Sequence, residues 1–400
     1  MVIPVHIPTT LFMSCASSLD RVLNIADLRA LARRRVPAFA LAYLEGGADD
    51  EQSLAWNRQV FERWRFVPDT LIGAAQPDLK TTLLGVPSAL PLIVAPTGFN
   101  GMLRHQADIL IARAAQAADI PFTLSTVSSA SLEDIAQQVP GGRFWFQLYV
   151  LRDRGITRDL LARAQAAGCE TLIVTTDCAH FGNRESERRF FRAPMKLTLP
   201  AMLNVAGHPA WTLDVIGGSR GVPGFGNLAP YLSPEARKSG RGAAFIASEL
   251  DPTLSWDDLA ALREQWPGKL VVKGILHAND ARRAKALGAD GIVLTNHGGR
   301  QLDSVISPME TLAEVADACA SDLDIYIDSG FRRGTDVAKA LALGARAVLL
   351  GRPLLYGVAA AGQPGVAKAI EIVRSELVRS LGLLGITQAS QLTRTHLRAA

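Results

Sequence analysis

Cysteine is scarce. The 400 residues hold four, Cys15, Cys169, Cys178 and Cys319, with no C-x-x-C pair and no His/Cys spacing of a metal site. A disulfide-stapled domain and a zinc module are thereby excluded, and the four read as reduced thiols of a cytoplasmic protein. Charge is thin as well: 42 basic against 38 acidic residues leave a net +4, spread along the chain. With aromatics at 6% and no Lys/Arg cluster interleaved with them, a nucleic-acid partner is not expected. Long apolar runs are missing too, since none reaches the roughly 18 residues that a spanning helix needs. The first Lys or Arg is Arg21, so the N-terminus lacks the charged start of a signal peptide.

What is present is enough for a large core, at 48% hydrophobic residues. Short runs rich in Val, Ile, Leu and Phe recur at Leu90–Thr97, Phe122–Ser128, Phe144–Val150, Thr171–Asp177, Leu270–Ile275, Gly291–His297, Ile325–Gly330 and Ala347–Arg352. Helical patterns ending in Gly follow several of them, as in Arg154–Gly168, Ala278–Gly288 and Arg333–Gly344. Eight strands alternating with helices predict an α/β chain, a (β/α)₈ TIM barrel. Residues 20–60 read as a helical preface, on the spacing of Leu28, Leu31, Ala32 and Phe39. The division expected is an N-terminal tail over 1–19, one barrel domain over 20–385 with a loop-4 insertion at about 190–250, and a C-terminal tail over 386–400.

Barrels of this kind place chemistry at the carboxyl ends of their strands. Here those ends read Gln147-Leu148-Tyr149, Thr175-Thr176-Asp177, Lys273-Gly274, Thr295-Asn296-His297 and Asp328-Ser329-Gly330. Ionisable and polar groups on five consecutive strands converge on one mouth, which points to catalysis. Gly330 with Arg332 and Gly351 with Arg352 form two glycine turns after the last two strands, the usual phosphate site of such barrels. An NAD- or phosphosugar-using barrel would share those turns. A binding module would need neither a base nor so many cations.

The run Asn296-His297-Gly298-Gly299-Arg300-Gln301-Leu302-Asp303 resembles the signature of the FMN-dependent 2-hydroxy-acid dehydrogenases and oxidases. Tyr43-Leu44-Glu45-Gly46-Gly47-Ala48 and Asn100-Gly101 resemble the mandelate-type members, and Trp145–Arg154 resembles the quinone-linked L-lactate type as well. The resemblance implies non-covalent FMN and oxidation of an (S)-2-hydroxy acid, with His297 as base and Asp177 orienting it. It implies Arg184, Arg300, Tyr43 and Tyr149 as substrate-binding residues. Thr97, Gly98, Ser125, Gln147, Thr175, Lys273 and Thr295 would contact the flavin, and Asp328, Gly330, Arg332, Gly351 and Arg352 its ribityl-phosphate end. Gly98 stands where many oxidases carry Ala, which leaves more space near the flavin and weighs against the oxygen-using alternative.

Further implications concern partners. The resemblance implies a homo-oligomer, a tetramer, that passes electrons to a quinone or another acceptor. Lys196–Ile216 holds Leu197, Leu199, Met202, Leu203, Val205, Trp211, Leu213, Val215 and Ile216 against two charges. In the relatives this loop is associated with membrane attachment, which implies peripheral contact with the cytoplasmic face of the inner membrane. Packing on the barrel or between subunits is the competing account. No metal is expected.

Overall fold

The computed structural model describes residues 19–193, 196–219, 221–238, 242–319 and 322–400. Most of the expected N-terminal tail, residues 1–18, lies outside them.

Eight parallel strands close into one barrel in chain order: β1 (Leu92–Val94), β2 (Phe122–Ser125), β3 (Phe144–Leu148), β4 (Thr171–Thr175), β5 (Lys269–Ile275), β6 (Gly291–Leu294), β7 (Asp324–Ile327) and β8 (Ala347–Leu350). β8 returns to β1 through the pairs Val348–Leu92, Leu349–Ile93 and Leu350–Val94. No edge is left to protect.

Most strands are shorter than the apolar runs that announced them, and past β6 backbone amides turn to side-chain hydroxyls. Past β6, His297 N–H donates to Thr295 Oγ1 at 2.9 Å and Gly298 N–H to Ser329 Oγ at 3.1 Å. The polar tail of β6 is thereby released into the mouth.

Side-chain alternation divides the interior in two. Ile93, Trp145, Ile173, Val271, Val293, Tyr326 and Leu349 fill the barrel, and Leu83 and Leu84 of the Thr81–Leu83/Val86–Ser88 hairpin plug its lower end. The opposite faces, including Leu92, Phe146, Val174 and Val272, pack under the surrounding helices. Strands buried on both sides need this near-continuous apolar sequence.

Ahead of the barrel run α1 (Ile25–Arg35), α2 (Ala38–Glu45) and α3 (Gln52–Gln59). α1 starts at a capping box of Asn24 and Asp27. Residues 386–400, set apart in the sequence as a C-terminal tail, pack back on the domain: Leu397–Ala399 pairs antiparallel with Trp64–Phe66 and His396 is buried.

Between β4 and β5 the chain builds its own small layer. It contains the hairpin Phe191–Ala193/Lys196–Leu197, a helix α4 (Leu199–Ala206), a π-helical turn at Thr212–Gly217 and a helix at Gly242–Glu249. Trp211 and Val215 are buried, and the Trp211 indole N–H donates to Met102 O at 2.8 Å. Leu199, Met202, Leu203 and Leu213 stay exposed. The apolar stretch is therefore split, half clamped to the barrel and half facing outward.

Candidate active site

The alternation that fills the barrel also aims the site. Two residues beyond inward Trp145 comes Gln147 and then Tyr149; two beyond Ile173 comes Thr175 and then Asp177; beyond Val271 comes Lys273; beyond Val293 come Thr295 and His297; beyond Tyr326 comes Asp328. Apolar residues occupy the lower layers and polar ones the top layer.

A cavity of about 340 Å³ opens there. Tyr43, Thr97, Gly98, Ser125, Tyr149, Arg184, Lys273, His297, Arg300, Asp328, Gly330, Arg332, Gly351 and Arg352 line it. The other expected residues stand behind the wall. Gln147 accepts from Ser125 Oγ at 2.8 Å and donates to Thr175 Oγ1 at 3.0 Å. Thr295 Oγ1 lies 3.1 Å from Lys273 Nζ and donates to Asp328. Asp177 holds His297.

His297 has φ +57°, and Gly298 and Gly299 follow at +67° and +74°. A left-handed histidine is uncommon and costs energy, which the surrounding hydrogen bonds repay. Its Nδ1 lies 3.0 Å from Asp177 Oδ1, leaving Nε2 toward the cavity with Tyr149 Oη at 3.4 Å. Burial pushes the imidazole below its ordinary range, although Asp177 opposes this. Burial works to raise Asp177, yet His297 and Lys273 outweigh it and hold the carboxyl at about 2. The pair at rest is a neutral imidazole on an ionised carboxylate, the state a general base requires. Tyr43 and Tyr149 are pushed up by burial and stay protonated donors.

Lys273 is 4% exposed and its Nζ pairs with Asp328 Oδ2 at 3.1 Å. Burial acts against its charge, but Asp328 and Asp177 prevail and the ammonium persists. Arg300 spends Nη1 on Tyr43 O and Gly46 O, each at 2.8 Å, and Nη2 on Glu187 Oε1 at 2.8 Å. Arg184 donates to Arg300 O at 3.3 Å and Gln301 Oε1 at 3.2 Å. Both guanidiniums are held in place by these contacts and keep further N–H groups for an anion.

At the β7–β8 side the cations lack anions. Arg332 and Arg352 form no ion pair among the described residues, and burial with repulsion from neighbouring arginines lowers both, Arg352 to about 9. Among the described residues Arg352 donates to the carbonyls of Leu44, Gly46 and Gly298. Beside it, Gly351 caps the N-terminus of the helix Arg352–Ala361. Half-buried cations without an ion pair, at a helix N-terminus, fit a phosphate monoester. Gly330, at φ +95°, could not carry a Cβ without striking Asn57 O.

One feature differs from the sequence reading. The space expected at Gly98 is taken, because a Cβ there would strike Val127 Cγ2. The insertion is not separable from the site: Phe191, Phe225 and Ile246 line the cavity, and Asn227 donates to Ser125 O at 3.0 Å. Glu187 also lines it and was missed. Its signal was an acidic residue one helical turn after Arg184.

The same architecture is found in known proteins. The profile of the FMN-dependent dehydrogenases matches residues 32–399. The (S)-mandelate dehydrogenase of Pseudomonas putida is 43% identical over 380 residues, 95% of this chain and 94% of its own. The L-lactate dehydrogenase of Azorhizobium caulinodans is 41% identical over 376 residues, 93% and 97% of the two chains. A crystal structure of a monotopic membrane protein, (S)-mandelate dehydrogenase, superposes with a TM-score of 0.90 at 42% identity, covering 95% of this chain and all of that one, 100%. With the matched profile spanning nearly the whole chain and its cation-lined cavity fitting a flavin phosphate, the protein belongs to the FMN-dependent dehydrogenase family.

Proposed function

We propose that the protein oxidises an (S)-2-hydroxy acid to the 2-oxo acid, with His297 as the base. The observation that carries this reading is an imidazole, seated on Asp177, which shares one cavity with two fixed guanidiniums. Arg184 and Arg300 offer forked donors to a carboxylate. A substrate held there presents its carbinol to Nε2, and Tyr43 and Tyr149 donate to its oxygens. His297 takes the proton, and Asp177 stabilises the imidazolium that results. FMN, when bound, supplies the two-electron acceptor. Lys273, fixed by Asp328, places a permanent cation under the cavity, and Arg332, Gly330, Gly351 and Arg352 would hold the phosphate.

The far wall is apolar, formed by Phe39, Phe99, Met102, Phe225 and Ile246. Such a wall favours an aromatic or branched substituent over the methyl of lactate. Anaerobic bleaching of the bound flavin by mandelate, lactate, glycolate and longer 2-hydroxy acids tests this directly. Mandelate-type acids should bleach fastest, and failure of every acid would overturn the reading.

The acceptor belongs to the same proposal. No helix among the described residues is long and apolar enough to cross a membrane. Leu199, Met202 and Leu203 on α4, with Leu213, leave apolar side chains in solvent at 54%, 48%, 66% and 75% exposure. This supports peripheral contact with the inner membrane and electron delivery to a quinone. A tetramer, implied by the family resemblance, is read by sedimentation velocity.

A further inference from the structure

Behind the imidazole, on the side away from the cavity, lies a thiol that the proposed reaction does not use. Cys178 follows Asp177 past the end of β4 and is 6% exposed. Its Sγ stands 3.6 Å from His297 Nδ1 and 3.6 Å from Asp177 Oδ1, and those two atoms are 3.0 Å apart. Gln301 Nε2 donates to the sulfur at 3.2 Å and holds it in place. Asp177 Oδ2 is buried with no hydrogen-bond partner among the described residues.

Sulfur, imidazole nitrogen and carboxylate oxygen are the ligand atoms of a zinc site. Tetrahedral bonds of about 2.3 Å to sulfur and about 2.0–2.2 Å to nitrogen and oxygen separate the ligand atoms by about 3.3–3.6 Å. The Asp177–Cys178–His297 triangle has nearly these edges already, needing only a small opening of its shortest side. Its ligand atoms all lie within 4.8 Å of one another. Oδ2, which lacks a partner, gives the carboxylate a second oxygen to turn toward an ion.

We propose that Asp177, Cys178 and His297 form an inhibitory site for a thiophilic divalent cation such as Zn²⁺ or Cd²⁺. The proton balance explains the inhibition. The metal takes the Nδ1 lone pair, so the ring proton that Asp177 accepted moves to Nε2. The thiol releases one proton to solvent and binds as thiolate. Two anions then neutralise the dication, and water fills the fourth position. Nε2 now carries a hydrogen and cannot accept one, so the base is shut off while the carboxylate-binding arginines are untouched.

The inhibitory part rests on His297 being the base, and the test separates that from the site itself. Zn²⁺ alone and Cd²⁺ alone are titrated into the FMN-loaded wild type, Cys178→Ala and Cys178→Ser, with a chelator to reverse the effect. Ultraviolet cadmium–thiolate absorption should develop in the wild type at one equivalent and be missing in both variants. Zn²⁺ should lower kcat without changing KM for the hydroxy acid, with at least tenfold more metal needed in the variants. Absence of the absorption in wild type, or its presence in Cys178→Ala, overturns the site whatever the enzyme does. Absorption without loss of turnover overturns the inhibition and with it the assignment of His297.

Discussion

Replacing Arg332 by Met should change two measured quantities in opposite directions. The half-buried guanidinium lies against Tyr356, with its carbon 5.8 Å from the ring centroid, and it donates to Phe331 O at 2.7 Å. Burial, aided by Arg58, lowers its pKa, whereas Tyr356 and Asp336 oppose that. A lowered pKa means the charged form is less favourable in the fold than in the unfolded chain, so at neutral pH the FMN-free protein bears the cost of that charge. Exchange of a poorly compensated, half-buried charge for an apolar side chain of similar length is worth about 1–2 kcal/mol in favour of the variant, the lower part of the range for fully buried charges. With FMN present the balance reverses, because one charged hydrogen bond to phosphate, about 1.5–3 kcal/mol, is lost. The FMN-free variant should melt a few degrees higher than the FMN-free wild type, and FMN should bind about ten- to a hundredfold more weakly. Calorimetry and flavin fluorescence titration read the two. A variant that melts lower without FMN and binds it unchanged would refute the phosphate assignment.

The remaining predictions use other parts of the site. Asp177→Asn should lower kcat by about ten- to a hundredfold while leaving KM nearly unchanged, since Asp177 supports His297 from outside the cavity wall; steady-state kinetics with the best acid of the panel decide it. Glu187→Gln should alter KM in the same assay, because it frees Arg300 Nη2 and removes a carboxylate that faces the substrate's own. Leu203→Ser with Leu213→Ser should reduce co-sedimentation with anionic vesicles while flavin reduction stays at the wild-type rate, and equal sedimentation would assign these residues elsewhere.

The barrel was legible because two periodicities were written plainly. Runs such as Thr171–Thr175 are buried on both faces, so they carry no polar alternation until they reach the mouth, and the change to Thr176-Asp177 marks the strand end within a residue or two. Helix ends were equally clear where Gly168, Gly288 and Gly344 take φ of +78°, +83° and +112°, a region that favours glycine. The strand-end polar residues could be grouped because a barrel gives every strand the same top. Tyr43, from α2 ahead of the barrel, came only through the family resemblance, since no local pattern says that α2 closes over the mouth.

Loop 4 was harder to read because hydrophobicity does not record what covers it. Trp211 and Leu213 differ little as apolar residues in sequence, yet one is 3% exposed and the other 75%. The difference is set by partners far away in the chain: Met102 O for the indole, and Arg35 at 3.3 Å for Asp214, the residue after Leu213. The same tertiary logic joins the outward face to the chemistry. Met102 lines the cavity and accepts from Trp211, two residues before exposed Leu213, while Phe225 and Asn227 tie the following segment to the wall and to β2. Cutting out the whole stretch from 198 to 240 would therefore remove cavity wall together with apolar surface and could not distinguish a membrane role from a structural one. The point substitutions at Leu203 and Leu213 can, because they change only what faces outward and leave the Trp211 and Asn227 anchors in place.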